Sequence, residues 1–567
     1  MRKFSYLLTL LVVFACSEDF TTSPAVGALS DEALKNETGV NLLLTGAYSA
    51  LSAEVNHGYG NGWGRAADNW TMDVMADDAH KGSTDDDQAD LKEVELMNWS
   101  PANGYFMARW GVLFAGVNRA NAVISLTESI EEGDFSAQKA EAQFLRANFN
   151  FEIQRMWGNV PNINTEAYNN SEFNQPNPGD IYAQIEADLQ AAAAALPDTQ
   201  NEPGRPTKMA ARAYLGKVYA QQGKYAEALQ ELKAVIDSNV YALLPEYGDN
   251  FKAKGENGTE SIFAIQFTTD GGQSFNANGV GALNFPNPGP FGSCCGFYQP
   301  TEDLFNSFRV DANGLPISNY QDLEPLATDY GINSADAFTP TNELLDPRVD
   351  FTVGRRGIDY NGYGEHIGKD WIRATFADIS GPYLPKKNVY QASEAGAVQA
   401  TGGWGEQLSG LNYHIMRLGG IMLIAAEAAA ETNQLGLATD YVNRIRNRAK
   451  NSTPIQALDG SGPAANYKVE PYPSDFASKA EALTAIRHEK RLETAMEGQR
   501  MFDLRRWERS SPGYAKNTMN AYFDFEASII ENFGQKVSPY QDKHNVFPIP
   551  QQAIDLSGGA LSQNQGY

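Results

Sequence analysis

Cysteine is nearly absent, with 3 residues in 567. Two of these, Cys294 and Cys295, stand side by side in FGSCCGF. So few thiols exclude a disulfide framework, and their spacing fits no zinc site. Adjacent thiols are either free or joined in a vicinal bridge, and nothing around them points to catalysis. Histidine is scarce too, with 6 scattered residues, and neither HExxH nor GxSxG occurs. Basic charge is short: Lys and Arg total 44 against 70 Asp and Glu, a formal net charge of -26. Such a chain repels nucleic acid and anionic membrane, so no nucleic-acid partner is expected and an uncharged ligand is the easier fit.

Aromatic surface, by contrast, is generous. Aromatics make up 11% of the chain, including 26 Tyr and 8 Trp, which suits recognition by flat contact. The N-terminus reads MRKFSYLLTLLVVFAC. Arg2 and Lys3 precede an apolar run over 4–15 that is shorter than the about 20 residues needed to cross a bilayer but fits a secretory signal. Residues 1–15 are therefore expected to be a signal peptide, and 16–36, polar and without strong period, a tether. Val13-Phe14-Ala15-Cys16 resembles a bacterial lipobox, which implies a lipid on Cys16 as the sole membrane attachment. The alternative is ordinary cleavage nearby with an incidental cysteine. The following Ser17-Glu18-Asp19 resembles the acidic export tag of surface lipoproteins in the Bacteroidetes group.

From residue 38 the apolar spacing becomes helical: Val40, Leu43, Leu44, Ala47, Tyr48 and Leu51 share one face. The same spacing predicts helices over 109–126, 136–157 and 180–196, the last with Asp180 as N-cap and Pro197 as its stop. Residues 205–238 place Leu215, Gly216, Tyr219, Gly223, Tyr225, Ala228 and Leu232 at the offsets of a tetratricopeptide repeat. A weaker hairpin is predicted over 421–449, turning at Asn433-Gln434. Between these, 261–410 is rich in Gly, Pro, Asn and aromatics, has few helical periods, and includes a short strand over 261–267. Long irregular stretches of this kind tend to carry function. The expected fold is mainly α: a tetratricopeptide-like helical hairpin scaffold over 37–260, a large irregular insert with short strands over 261–410, and a helical part over 411–567 that completes the scaffold.

One stretch, IRHEKRLETAMEGQRMFDLRRWER (486–509), concentrates charge of both signs. On a helix, Arg487, Lys490 and Arg491 interleave with Glu489, Glu493 and Glu497 at three- and four-residue offsets, so the charges pair. Met496, Met501, Phe502, Leu504 and Trp507 form an apolar stripe, and Gly498 permits close approach by another helix. The stretch reads as scaffold. Its arginines should keep Glu497 and Asp503 ionised, which suits neither to general-acid work. GYGNGWG (58–64) follows no convincing strand, so it is a poor phosphate cradle. DDAHKGSTDDDQAD (77–90) offers oxygen ligands for Ca²⁺ but lacks the EF-hand spacing, and reads as a solvated acidic loop; no metal is expected.

Several segments together resemble the SusD/RagB family of outer-membrane nutrient-binding lipoproteins. They are the Cys16-Ser-Glu-Asp start, AEAQFLRANFNFEIQRMWGNVPNI (140–163), RPTKMAARAYLGKVYAQQGKYAEAL (205–229), AAEAAAE with VNRIRNRA (425–449), the 486–509 stretch and VFPIPQQAI (546–554), in the family's order. The resemblance implies a surface lipoprotein that captures a nutrient, here an oligosaccharide, for a TonB-dependent SusC-like transporter over which it sits as a lid. It implies no enzyme activity and no cofactor. Three other readings stand beside it: the same role with peptide cargo, a secreted helical glycoside hydrolase, which needs two carboxylates across a cleft, and a pure interaction scaffold.

A sugar presents apolar faces and a polar rim, so its site wants aromatic planes beside amides, carboxylates and hydroxyls. Trp70, Phe291, Phe297, Tyr298, Tyr363, Trp371 and Trp404 lie in irregular, polar-rich segments and are the expected ligand-binding residues. They form one platform only if the fold gathers them on one surface. Trp99, Trp110, Trp157 and Trp507 sit in or near helical blocks and are expected to be structural.

Overall fold

The computed structural model describes residues 31–53, 58–270, 272, 274–292, 294–403 and 405–567. The expected signal peptide, Cys16 and Trp404 lie outside the described residues.

Apolar spacing of three and four is realised as helices that stack in chain order. The longer ones are α1 (Glu37–Ser49), α2 (Gly104–Ser129), α3 (Ser136–Trp157), α4 (Tyr182–Ala195), α5 (Lys208–Gln222), α6 (Tyr225–Asp237), α7 (Leu418–Glu431), α8 (Leu435–Asn451), α9 (Lys479–Thr494), α10 (Arg500–Ser510) and α11 (Tyr514–Ala527). Short side-chain caps start several of them: Asn36 accepts from Gly39 N, Asn103 from Tyr105 N and Thr207 from Ala210 N. In the α5–α6 hairpin, Gly216 lies so close to the facing helix that a Cβ would meet Leu232 Cδ2 at 2.4 Å. Gly223, at φ +76°, closes α5 in the left-handed conformation. Each helix from α2 to α6 packs on the next, and α7 then packs on α6 and α5 although about 180 residues of chain intervene. The C-terminal hairpin α7–α8, turning at Asn433 (φ +59°), thus extends the stack that the tetratricopeptide-like hairpin begins.

Helix α3 is buried along most of its length, and several of its buried polar residues are paired, although the Asn150 amide finds no hydrogen-bond partner. Arg146 is bidentate to Asp188 (2.6 and 2.8 Å), and Asn148 accepts from the Tyr214 hydroxyl at 2.9 Å. One hydrophobic core runs from Leu44 to Ala553 and includes Trp99, Trp110, Trp157 and Trp507. Residues 261–410 add two satellite clusters, one around Phe285, Tyr360 and Tyr390, the other around Ala277, Ala400 and Leu408.

The insert is held at its neck. Strand β2 (Ser261–Ile265), where it begins, pairs antiparallel with β8 (Tyr413–Arg417), just beyond its end, in the register Ser261 to Arg417 and Ile265 to Tyr413. Strand β1 (Ala79–Gly82) pairs antiparallel with β3 (Phe297–Pro300), joining the N-terminal region to the insert. Strands β4 (Val353–Gly354) and β5 (Leu384–Pro385) pair within it, and β6 (Gln399–Thr401) and β7 (Gln407–Ser409) form a hairpin. Cys294 and Cys295 are bonded to each other.

Two sequence expectations change in the structure. The 486–509 stretch is not one helix: α9 stops at Thr494, and the chain turns through Met496 (φ +59°) and Gly498 (φ +71°) before α10. Gly498 is approached by loop backbone, since a Cβ there would stand 2.2 Å from Asp68 O. Its charges pair chiefly with distant segments. Glu493 meets Arg417 (2.6 Å), Arg348 (3.0 Å) and Arg448, while Arg491 meets Asp78 and Asp303, each at 2.8 Å. The acidic run 77–90 is no solvated loop at its start, because Asp77 and Asp78 are buried. Burial alone would raise the Asp77 carboxyl, but the Arg491 and Arg500 guanidiniums bring it down to about 2. No helix among the described residues is long and apolar enough to cross a membrane.

Candidate ligand-binding cleft

The neck of the insert, the 495–499 turn and the loop before Trp70 converge on one cleft, which encloses about 700 Å³ of empty space including open solvent. Its apolar and aromatic wall comes from Trp70, Phe251, Tyr298, Leu411, Tyr413 and Met496. Its neutral polar wall comes from Asn250, Asn278, Asn388, Ser409 and Asn412. β8 supplies Tyr413 and His414 because β2 pins it there; β7 supplies Ser409, and the 495–499 turn supplies Met496 and Glu497.

Charged groups in this wall are largely neutralised. Glu497 would be raised by burial, but Arg417 (2.8 Å) and Lys387 (2.7 Å) hold it at about 2. Burial lowers His414, which is therefore neutral near pH 7. Burial raises Glu256, which accepts from Asn412 N at 2.7 Å. Burial raises Asp68 as well, against the Asn278 amide that donates to it at 3.3 Å. Four side-chain atoms of the lining residues are buried without a hydrogen-bond partner: Asp68 Oδ1, Trp70 Nε1, Asn250 Oδ1 and Asn388 Oδ1. Such groups normally find a partner, so each stands ready for one from a ligand or water. Tyr298 and Met496 both hold φ near +59°, an uncommon conformation for large side chains that concentrates at functional sites.

The expected site residues fall into two groups. Trp70, Phe297 and Tyr298 are buried in the core, with the Trp70 ring 6.4 Å from Phe297 and 5.6 Å from Tyr298. Their expected exposure is not observed, because β3 runs through the interior; Trp70 and Tyr298 still line the cleft, Phe297 does not. The Tyr298 hydroxyl donates to Asp73 Oδ2 at 2.6 Å. Phe291, Tyr363 and Trp371 are half-buried in the Phe285 satellite, with Phe291 and Tyr363 at 4.8 Å and Trp371 at 5.9 Å from Tyr360. None of these three lines the cleft.

Sequence reasoning missed the amide wall, which no periodic pattern announces. It also passed over Tyr59, 42% exposed, and the half-buried Trp63 of GYGNGWG. Trp63 packs on Ala277, Ala282, Ala400 and Leu408. Successive strand residues point to opposite faces, so β7 turns Leu408 toward Trp63 and Ser409 toward the cleft. Among the described residues no three His, Cys, Asp or Glu side chains group as a metal site requires.

A sequence model of the SusD family matches residues 259–567, more than half the chain. The chain belongs to the SusD family. A second family model, described as starch-binding associating with outer membrane, matches residues 29–220. SusD-like protein P2 of Formosa agariphila is 25% identical over 586 residues, covering 100% of this chain and 99% of that protein. The starch-binding protein SusD of Bacteroides thetaiotaomicron is 24% identical over 501 residues, covering 84% of this chain and 81% of that protein. Among solved structures, surface glycan-binding protein A from Bacteroides thetaiotaomicron, in complex with laminarihexaose, superposes with a TM-score of 0.62 at 19% identity, covering 93% of this chain and 99% of that one. This likeness establishes the fold: the mainly helical SusD scaffold expected from the sequence is the one observed.

Proposed function

We propose that this SusD-family chain is a cell-surface lipoprotein that binds an oligosaccharide without transforming it and passes it to a SusC-like TonB-dependent transporter. The observation that carries the binding reading is the cleft, where three unpartnered acceptor oxygens and one donor stand among aromatic walls. Sugar hydroxyls both donate and accept, and their C–H faces lie flat on rings, so one polyhydroxy ligand satisfies both kinds of wall. Binding rather than hydrolysis agrees with the state of Glu497, held ionised between two cations and so unable to act as a general acid. The half-buried aromatics Phe291, Tyr363 and Trp371, with Trp404, stay as a proposed accessory surface for a longer chain.

Because one relative of this fold is named in complex with laminarihexaose, that hexasaccharide is the first probe, followed by a glycan array and a peptide library. Titration calorimetry should show a saccharide bound and recovered uncleaved. Asn388→Ala, which removes a single neutral hydrogen-bonding group, should weaken it by about three- to tenfold. Binding of peptides in place of glycans selects the peptide reading. Recovery of shortened saccharides selects the hydrolase, and equal affinity in Asn388→Ala removes the cleft as the site.

A further inference from the structure

A larger cavity, enclosing about 1370 Å³ of empty space including open solvent, lies between α9, α11 and residues 318–321. It shares no lining residue with the cleft. Its lining joins Tyr320 and Tyr514 with Thr484, Thr518 and Asn517, a mixture of rings, hydroxyls and amide beside three arginines, Arg487, Arg491 and Arg500.

Arg487 is the unusual member. It is 7% exposed, its guanidinium lies over the Tyr514 ring at 4.4 Å and the Trp507 ring at 5.4 Å, and Nη2 donates to Ser511 Oγ at 3.1 Å. These contacts fix its plane, yet Nε has no hydrogen-bond partner. Among the described residues no carboxylate forms an ion pair with it. The other two arginines of the lining differ. Arg500 is bidentate to Asp77 at 2.7 Å, and Arg491 is taken by Asp78 and Asp303. Asp77, the carboxylate of this lining, is engaged by that pair and is not available to Arg487. A buried cation normally comes with an anion, and a planar guanidinium held on rings is suited to two-point recognition of one.

We infer that this cavity is a second binding site, taking the acidic group of a charged saccharide, with Arg487 pairing the anion and Tyr514, Thr518 and Asn517 receiving the sugar. In a chain of net charge -26, a preformed cationic pocket of this kind selects an acidic residue that the rest of the surface repels. Titration calorimetry with sodium glucuronate, glucose 6-sulfate, glucose and sodium acetate tests this on the intact chain. Glucuronate or the sulfate should bind at least tenfold more tightly than glucose or acetate, and the better of the two names the acidic group. Arg487→Gln should remove that preference. Thr518→Trp, which fills the cavity from α11 and keeps Arg487 in the chain, should abolish binding while melting like wild type, and decides the matter if Arg487→Gln fails to fold. Glucose or acetate binding as tightly as the acidic sugars, no acidic sugar bound at all, or unchanged affinity in Thr518→Trp overturns the inference.

Discussion

Replacing Glu493 by Gln tests whether the charged 486–509 stretch is scaffold. The carboxylate is fully buried and reached by Arg348, Arg417 and Arg448. Breaking one partner out of a buried ionic cluster costs about 3–5 kcal/mol. Each arginine retains another carboxylate, Arg348 with Asp346, Arg417 with Glu497 and Arg448 with Glu260, and Gln keeps the volume and one acceptor oxygen. The expected loss is therefore at the lower end, about 3 kcal/mol. Against a total of about 5–15 kcal/mol that is a large fraction, readable as a shift of the urea midpoint at unchanged slope. The pH dependence adds a second check. Although burial would raise Glu493, its three arginines hold it well below the ordinary glutamate value of about 4.3. A group depressed on folding contributes its stability above the unfolded pKa and loses it as pH falls toward the folded one. The gap between wild type and Glu493→Gln should thus be full at pH 7 and narrow below about pH 4. A loss under about 1 kcal/mol, or a gap that widens on acidification, refutes the reasoning.

Trp507→Ala deletes a fully buried ring whose Nε1 donates to Glu427 at 2.9 Å; it should cost about 3–5 kcal/mol and leave cleft affinity intact in the folded fraction, checked by melting and calorimetry side by side. Burial beside Glu526 pushes Glu302 up to about 8, so this group favours the folded state below about pH 4.3 and withdraws that support as pH rises through 8. Glu302→Gln should accordingly lose less stability than wild type between pH 5.5 and 7.5, and parallel curves in urea titrations at the two values would contradict the shift. Cys16→Ala should release the protein from the membrane fraction and abolish metabolic lipid labelling; a mutant still labelled and sedimenting rejects the lipobox.

The helices were legible because burial imposes a period on them. Residues 136–157 are legible to the residue, and the 205–238 hairpin is legible from Gly216, where the facing helix leaves no room for a side chain, and from Gly223, whose left-handed backbone favours glycine. Asp180 was placed one position from the observed boundary: it accepts from Tyr182 N at 3.2 Å while the helix begins at Tyr182. The break at 495–499 was not legible, because the signal for it is a contact with Asp68 and Asn69, more than 400 residues earlier. The site was legible only as a region. Polar-rich surroundings suggested exposure for Trp70, Phe297 and Tyr298, but the insert threads them through the interior, where neighbours far along the chain decide burial. Asn250, Asn388 and Tyr413 carry no mark of their own, since what makes them a wall is the β2–β8 pairing that brings three separate segments together.

Those long-range pairs also set an order of events. Arg491 reaches back to Asp78, Arg500 to Asp77, and the Tyr567 hydroxyl accepts from Trp99 Nε1 at 2.9 Å across 468 positions. Partners so far apart in the chain form slowly, because loop closure precedes the contact that rewards it. The first hundred residues hold buried aspartates whose counter-charges arrive only with the last eighty, so an incomplete chain leaves them unpaired. Closure of the core is thereby postponed until the last eighty residues are present.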